Sequence, residues 1–212
     1  MSGALLEQIQ QGCINLELAL NEQQQHQLCA YVELLNKWNK VYNLTSVRDA
    51  SEMVSRHLLD SLAILPYLKG RSLLDVGSGG GLPGIPIAIA RPDLSVTLLD
   101  SNSKKTRFLQ QVKAELKLNN VTVVHARIEQ ATLPLFEIVT ARAFSTISDI
   151  IDLTARHCND DGRLLLMKGV FPSEELASVG GRFELASVRS LTVPGYEGQR
   201  HLVELTKSTT AV

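Results

Sequence analysis

The residues best suited to chemistry lie in one glycine-rich segment. From Leu73 the chain reads Leu-Leu-Asp-Val-Gly-Ser-Gly-Gly-Gly-Leu-Pro-Gly, ending at Gly84. An apolar, strand-forming run passes into glycines, which let the backbone take positive φ and let a ligand approach within contact distance. A turn at the carboxyl end of a first parallel strand is where open α/β sheets place ligands. The next apolar run closes at Asp100, an acid positioned to accept both hydroxyls of a ribose. The third, Val121–His125, leads into Ala126-Arg127-Ile128-Glu129. In this topology Ile128 covers an adenine face and Glu129 meets the exocyclic amine. Gly79, Gly81 and Asp100 thus predict a bound nucleoside cofactor.

The identity of that nucleoside turns on charge. Gly79-x-Gly81-x-x-Gly84 formally matches the dinucleotide fingerprint, which favours NAD. Two details oppose NAD. Asp75 stands two residues before the first glycine, and a carboxylate there repels a pyrophosphate. Pro83 and Pro86 crowd the start of the following helix and remove N–H donors that would receive phosphate. S-adenosylmethionine carries no phosphate, and a nearby acid favours its sulfonium, so electrostatics favours the sulfonium cofactor.

The elements that hold these residues divide near Gly70. Before it the periodicity is helical. Leu28, Tyr31, Val32, Leu35 and Trp38 share one helix face, an earlier helix covers Ala4 to Gln11, and a third runs from about Asp49 to Leu65. Asp49 and Glu52 give that third helix a capping-box-like start, and Pro66 stops it. After Gly70, strand-like runs at Ser72–Val76, Val96–Leu99, Val121–His125, Ile138–Ala141 and Arg163–Lys168 alternate with helical segments at Ile85–Ala90, Lys104–Leu118 and Thr146–His157. This alternation predicts a doubly wound α/β sheet, mainly parallel, with Phe183–Val193 and Arg200–Thr206 as an antiparallel pair at its end. Residues 1–69 are expected to form a helical extension packed on a core domain of residues 70–212. Gln23-Gln24-Gln25 is the one short low-complexity run.

Composition narrows the class. With 212 residues, 44% hydrophobic, 20% charged and a formal net charge of −1, the chain is globular and is not a globally basic nucleic-acid binder, though a local basic patch is compatible. Three widely spaced cysteines encode neither a disulfide framework nor a metal site. No signal-peptide pattern or bilayer-length apolar run is present, so a cytoplasmic monomer is expected.

The segment Asp75–Ala88 resembles the signature of the small-subunit rRNA guanine-N7 methyltransferases, the RsmG family, also called glucose-inhibited division protein B. The resemblance continues through Trp38–Thr45, Arg56–Ser61, Ala141-Arg142-Ala143-Phe144, Lys168-Gly169 and Arg200–Val203, in order along essentially the whole chain. The family's loop often carries Thr-Gly-Pro-Gly where this chain has Ser78-Gly79-Gly80-Gly81. The resemblance implies a class I S-adenosylmethionine-dependent methyltransferase domain with an N-terminal helical addition, acting on a guanine in the 530 loop of 16S rRNA, free or in the small ribosomal subunit. It implies cofactor contacts at Gly77, Leu82, Ile128, Glu129 and Arg142.

Guanine N7 has a free lone pair and no proton to lose, so no general base is expected and no catalytic acid or base is assigned. The motif for adenine amino methylation is absent after the fourth strand. No cysteine follows the fourth or fifth strand as carbon-5 chemistry requires; Cys158 is read as ending a helix. A basic rim of Arg127, Arg142, Lys168 and Arg200 is expected to position the acceptor. Lys104, Lys105 and Arg107 at a helix start form a candidate phosphate-facing patch. Within Arg56–Ser61, helical spacing sets His57 against Asp60 and Ser61, and Arg56 against Asp60. Trp38 and Tyr42 are read chiefly as core. The competing readings are a methyltransferase with another RNA or small-molecule acceptor, an NAD-dependent oxidoreductase and a non-catalytic nucleotide-binding module.

Overall fold

The computed structural model of the chain describes residues 2–143 and 145–208. Phe144, part of the quoted Ala141–Phe144 motif, lies outside the described residues. Seven strands form one sheet: β1 (Ser72–Val76), β2 (Ser95–Asp100), β3 (Val121–His125), β4 (Phe136–Arg142), β5 (Cys158–Lys168), β6 (Phe183–Ser190) and β7 (His201–Lys207). Their order is β3-β2-β1-β4-β5-β7-β6. The first five are parallel, and β7 runs antiparallel to both β5 and β6. The chain leaves β1 outward through β2 and β3 and then crosses back to β4. The crevice between β1 and β4 is therefore the switch point at which such sheets bind ligands.

Alternation along each strand builds the core on both faces. Leu73, Val96, Leu98, Ile138, Leu165 and Met167 face one side, whereas Leu74, Val76, Leu99, Val139, Leu164 and Leu166 face the other. This is why the strands read as continuous apolar runs. Helix α1 (Ser2–Asn15), α2 (Glu22–Tyr42), α5 (Gly84–Ala90) and α6 (Ser103–Glu115) cover the first face. Helix α7 (Ile147–Thr154) covers the second, with α8 (Ser173–Ala177) beside it. The first 69 residues share their apolar core with β1, β2, α5 and α6.

Helix α2 also ties into the sheet domain through polar contacts. Asn21 and Gln24 form a capping box at its start. Gln24 Nε2 donates to the carbonyls of Ile89 and Ala90 at 3.0 Å each, and Gln27 Nε2 donates to that of Leu116 at 2.8 Å. These glutamines satisfy the carbonyls orphaned at the ends of α5 and α6. The Gln23–Gln25 run is thus part of a built joint, a role its composition did not reveal. Trp38 stacks on Tyr42 at 5.2 Å and tilts against Phe108 at 5.7 Å.

The segment expected as one helix from Asp49 to Leu65 is interrupted. Short helix α3 (Ala50–Met53) passes into a π-helical turn over Val54–Leu59 and then into α4 (Asp60–Leu62). Asp49 caps the start, accepting from the Glu52 N–H at 3.1 Å. Cys158 ends a helix as expected, capping the 3-10 turn at Ala155–His157 that continues α7, with its N–H donating to the Ala155 carbonyl. It also opens β5 opposite Phe136, and burial pushes its thiol up to about 11. Strand β6 stops at Ser190, short of the expected Val193.

Candidate active site

The glycine turn is tied to the strand beside it. Gly77, Gly79 and Gly81 have φ of 69°, 58° and 89°, the left-handed region that glycine enters without a Cβ penalty. The Gly77 and Ser78 N–H groups both donate to the Leu99 carbonyl, at 2.8 and 3.1 Å. Gly79 N–H donates to Asp100 Oδ2 at 2.9 Å, and Asn102 N–H donates to Asp100 Oδ1 at 2.8 Å. Gly81 and Leu82 N–H return to the Ser78 carbonyl, and Gly84 N–H donates to Asp75 Oδ2 at 3.0 Å. The turn therefore spends its N–H groups internally and keeps no row of them to cradle a pyrophosphate.

Asp75 does not line the crevice, contrary to the charge argument drawn from sequence. It is wholly buried under the start of α5 and lines neither cavity described below. Burial pushes its carboxyl up to about 7, against the opposing pull of the Gly84 N–H. A Cβ at Gly84 would fall 2.2 Å from Leu98 Cδ2 and 2.7 Å from Asp75 Oδ2, so this joint admits only glycine.

Two cavities open at the carboxyl edge of the sheet and share Gly77, Lys105 and Ala143. The smaller, about 340 Å³, is lined by Asp100, Arg127, Ile128 and Glu129. Asp100 is 5% exposed, with Lys105 Nζ at 3.8 Å from its Oδ2. The larger, about 520 Å³, is lined by the glycine turn, Leu82, Thr45, His57, Asp60, Arg142, Lys168 and Arg200. A Cβ at Gly79 would meet only Gly77 O at 3.8 Å and Lys105 Nζ at 4.0 Å. A carboxylate for a ribose, an apolar wall for an adenine and an open main-chain surface fit a phosphate-free adenosine cofactor.

Charge in the larger cavity is organised by Asp60. Arg142 Nη1 donates to its Oδ2 at 2.9 Å and Arg200 Nε to its Oδ1 at 2.8 Å. Asp60 is 1% exposed, and both guanidiniums open onto the cavity. Arg200 also lies 4.2 Å over the Tyr196 ring and donates to its hydroxyl at 3.0 Å. Lys168 Nζ donates to Glu175 Oε2 at 2.8 Å and to the Ser145 carbonyl at 3.0 Å. His57 Nδ1 lies 2.9 Å from the Arg56 carbonyl, which can only accept, so Nδ1 carries the proton. Its Nε2 then accepts from the Thr45 hydroxyl at 2.6 Å. Burial, reinforced by Arg142, pushes the imidazole down to about 4, so it is neutral at neutral pH.

A family model described as GidB, rRNA small subunit methyltransferase G, matches residues 24–203. The chain belongs to this family. It is 52% identical over 205 residues to the ribosomal RNA small subunit methyltransferase G of Stutzerimonas stutzeri, covering 95% of each chain, and equally so to that of Pseudomonas aeruginosa. Among solved structures it is similar to a SAM dependent methyltransferase from Aquifex aeolicus (TM-score 0.56, 15% identity, 81% of this chain and 97% of that one). It is also similar to precorrin-6y C5,15-methyltransferase from Geobacter metallireducens (TM-score 0.51, 18% identity, 79% and 92%). The fold is that of the class I methyltransferases.

The structure gathers Gly77, Gly79, Leu82, Arg142, Lys168 and Arg200 at the larger cavity, and Gly77, Asp100, Ile128 and Glu129 at the smaller. Two expected residues stand elsewhere. Arg127 lines the smaller cavity and not the rim with Arg142, Lys168 and Arg200. Gly81 lines neither cavity; a Cβ there would strike Ile85 and Leu109, so it serves packing. The three cations at the start of α6 also separate: Lys105 enters both cavities, whereas Arg107 joins Trp38 and His125 in another.

Asp60 faces neither His57 nor Arg56, as ordinary helical spacing implies. The π-helical turn over Val54–Leu59 departs from 3.6-residue spacing just before Asp60, whose carboxylate pairs instead with Arg142 at the end of β4 and Arg200 before β7. Sequence reasoning also missed the Thr45–His57 contact. No local signal marked either: the partners of Asp60 lie 82 and 140 residues along the chain. Among the described residues, no group of three or more His, Cys, Asp or Glu is placed to hold a metal, and no helix is long and apolar enough to cross a membrane.

Proposed function

We propose that this rRNA methyltransferase acts on N7 of a guanine in the 530 loop of 16S rRNA, by direct displacement without a general base. Asp100 and Glu129 bind the ribose and adenine of the cofactor, Ile128 covers the adenine ring, and the open surface of the glycine turn bounds the adjoining space. Bound there, S-adenosylmethionine supplies a sulfonium methyl group to an unprotonated ring nitrogen.

The observation carrying this reading is the donor character of the acceptor end. Its one deeply buried carboxylate, Asp60, is held between Arg142 and Arg200. Its one imidazole is neutral, with Nε2 occupied by Thr45. Neither is free to take a proton. The remaining donors of the two arginines suit the carbonyl oxygen of guanine and phosphate oxygens, while the nucleophilic nitrogen needs only alignment, worth roughly 7–11 kcal/mol of barrier. Asp60 holds the arginines apart from each other's charge, and the buried histidine adds no competing base.

The test incubates the protein and tritiated S-adenosylmethionine with small ribosomal subunits, naked 16S rRNA and total tRNA, followed by nucleoside mapping. Expected is 7-methylguanosine in 16S rRNA. Label confined to tRNA, or a methyl group on an amino group or ring carbon, overturns the acceptor assignment. Calorimetry separates the cofactor: S-adenosylhomocysteine binds and NADH does not.

A further inference from the structure

The segment leaving β5 carries an exposed apolar step at the cavity mouth. Lys168 and Gly169 line the larger cavity, and the next two residues, Val170 and Phe171, are 76% and 49% exposed. Other exposed large apolar side chains, such as Ile14, Val41 and Leu185, stand on other elements, α1, α2 and β6. Phe171 meets His201 edge to face, with ring centroids 5.5 Å apart and planes at 84°. His201 is fixed in turn: its Nδ1 lies 2.8 Å from the Gly169 carbonyl, so that nitrogen carries the hydrogen.

Gly169 joins this step to the arginine wall. A Cβ placed there would sit 3.7 Å from Arg200 Nη1. Gly169 thus has the Arg200–Tyr196 pair near its Cα and the His201 partner of Phe171 on its carbonyl.

We propose that Phe171, with Val170 beside it and His201 behind it, is a shelf on which a nucleobase flanking the methylated one stacks. The inference rests on the RNA acceptor and adds a second recognition point to it. A base drawn into a cavity leaves its neighbours unstacked. An aromatic face at the mouth restores one of those contacts, and base–aromatic stacking tolerates any sequence because every base has a π-face. The shelf is the size of a single ring, next to cations, and follows in the chain directly on Lys168 and Gly169 of the cavity that takes the target base. These features suit a nucleotide chain better than a broad protein surface.

The test compares Phe171→Ala, Phe171→Leu and Phe171→Trp in steady-state methylation of small ribosomal subunits. Phe171→Ala is expected to raise KM for the subunit roughly 10-fold, in line with the loss of one stacked base. The kcat and the affinity for S-adenosylhomocysteine should stay within about 2-fold. Phe171→Leu, which keeps apolar bulk but loses the ring, should behave like Phe171→Ala, and Phe171→Trp should restore the wild-type KM. Leu185→Ala on β6 is the control for truncating an exposed apolar residue. A wild-type KM in Phe171→Ala, or full rescue by leucine, overturns the shelf.

A binding assay keeps this separate from the acceptor assignment. Oligoribonucleotides carrying 2-aminopurine beside the mapped methylation position, or at random positions if no rRNA is labelled, should be quenched by the wild type and not by Phe171→Leu. If rRNA is not methylated while quenching still depends on the ring, the acceptor assignment fails and the shelf stands. If rRNA is methylated and quenching ignores the ring, the shelf alone fails.

Discussion

The two ends of the ligand crevice are built in opposite ways. At the end proposed for adenosine, Asp100, Ile128 and Glu129 sit at or just after the ends of β2 and β3, and the glycine turn follows β1 directly. Each residue is placed by the strand that precedes it. At the acceptor end, Asp60 comes from a helix before the sheet, Arg142 from the end of β4, Arg200 from beside β7, and Lys168 from the end of β5. The buried Asp60 sets the spacing of the two arginines, while Lys168 is held by Glu175 and the Ser145 carbonyl. On the proposed assignment, cofactor binding is the work of a strand edge, whereas the arginine wall depends on long-range ion pairs to Asp60.

The strongest way to break this contrast is to remove its pivot. Asp60→Ala leaves two arginines facing each other with no buried counter-charge, and should lower unfolding free energy by about 3–5 kcal/mol in denaturant titrations. A loss below about 1 kcal/mol would show that the pair is held by solvent and packing alone.

The glycine turn offers a contrast within the other end. The folded-state value of Asp75, about 7, lies above its unfolded value near 4, so the folded form holds a proton that the unfolded chain releases. The associated stability is full below about pH 4 and is lost as pH rises through 7. Asp75→Asn, which keeps an acceptor for Gly84 N–H, should flatten this decline by up to a few kcal/mol. Stability profiles of the two proteins that run parallel from pH 4 to 8 would contradict it.

Asp100→Ala should weaken S-adenosylhomocysteine binding by about 2 kcal/mol, a loss of roughly 10- to 100-fold by calorimetry, with little change in KM for RNA. Equal damage to both would mean that the two ends are not separable. Lys168→Ala should slow methylation several-fold with cofactor affinity nearly intact. The smallest effect is expected at Arg127, which faces the adenosine end: Arg127→Ala should alter acceptor KM less than 3-fold. A change as large as that of Arg200→Ala would return it to the acceptor rim.

Strands, glycine turn and second-strand acid were legible because each is a local pattern: continuous apolar runs, residues that tolerate positive φ, and a carboxylate at a strand's end. The antiparallel pair at the chain's end was legible for the same reason. Three features were not. Gln24 and Gln27 read as unremarkable polar helix residues until the ends of α5 and α6 lay against them. The argument from Asp75 reached a phosphate-free cofactor, but in the structure it is the internal use of most of the turn's N–H groups, rather than Asp75, that disfavours a pyrophosphate. Arg56 and His57 were paired with Asp60 on the assumption of 3.6 residues per turn, which a π-helical turn breaks.

The sequence by itself determined the parallel sheet, the place of the crevice and the residues that line its smaller cavity, since strand order and side-chain alternation follow from short-range patterning. Only the tertiary structure decided which charges meet. Arg142 and Arg200 are each brought within 3 Å of an Asp60 carboxylate oxygen by packing of the N-terminal helices on the sheet. Coulomb attraction in a poorly solvated site acts on distance in space, to which spacing along the chain is blind.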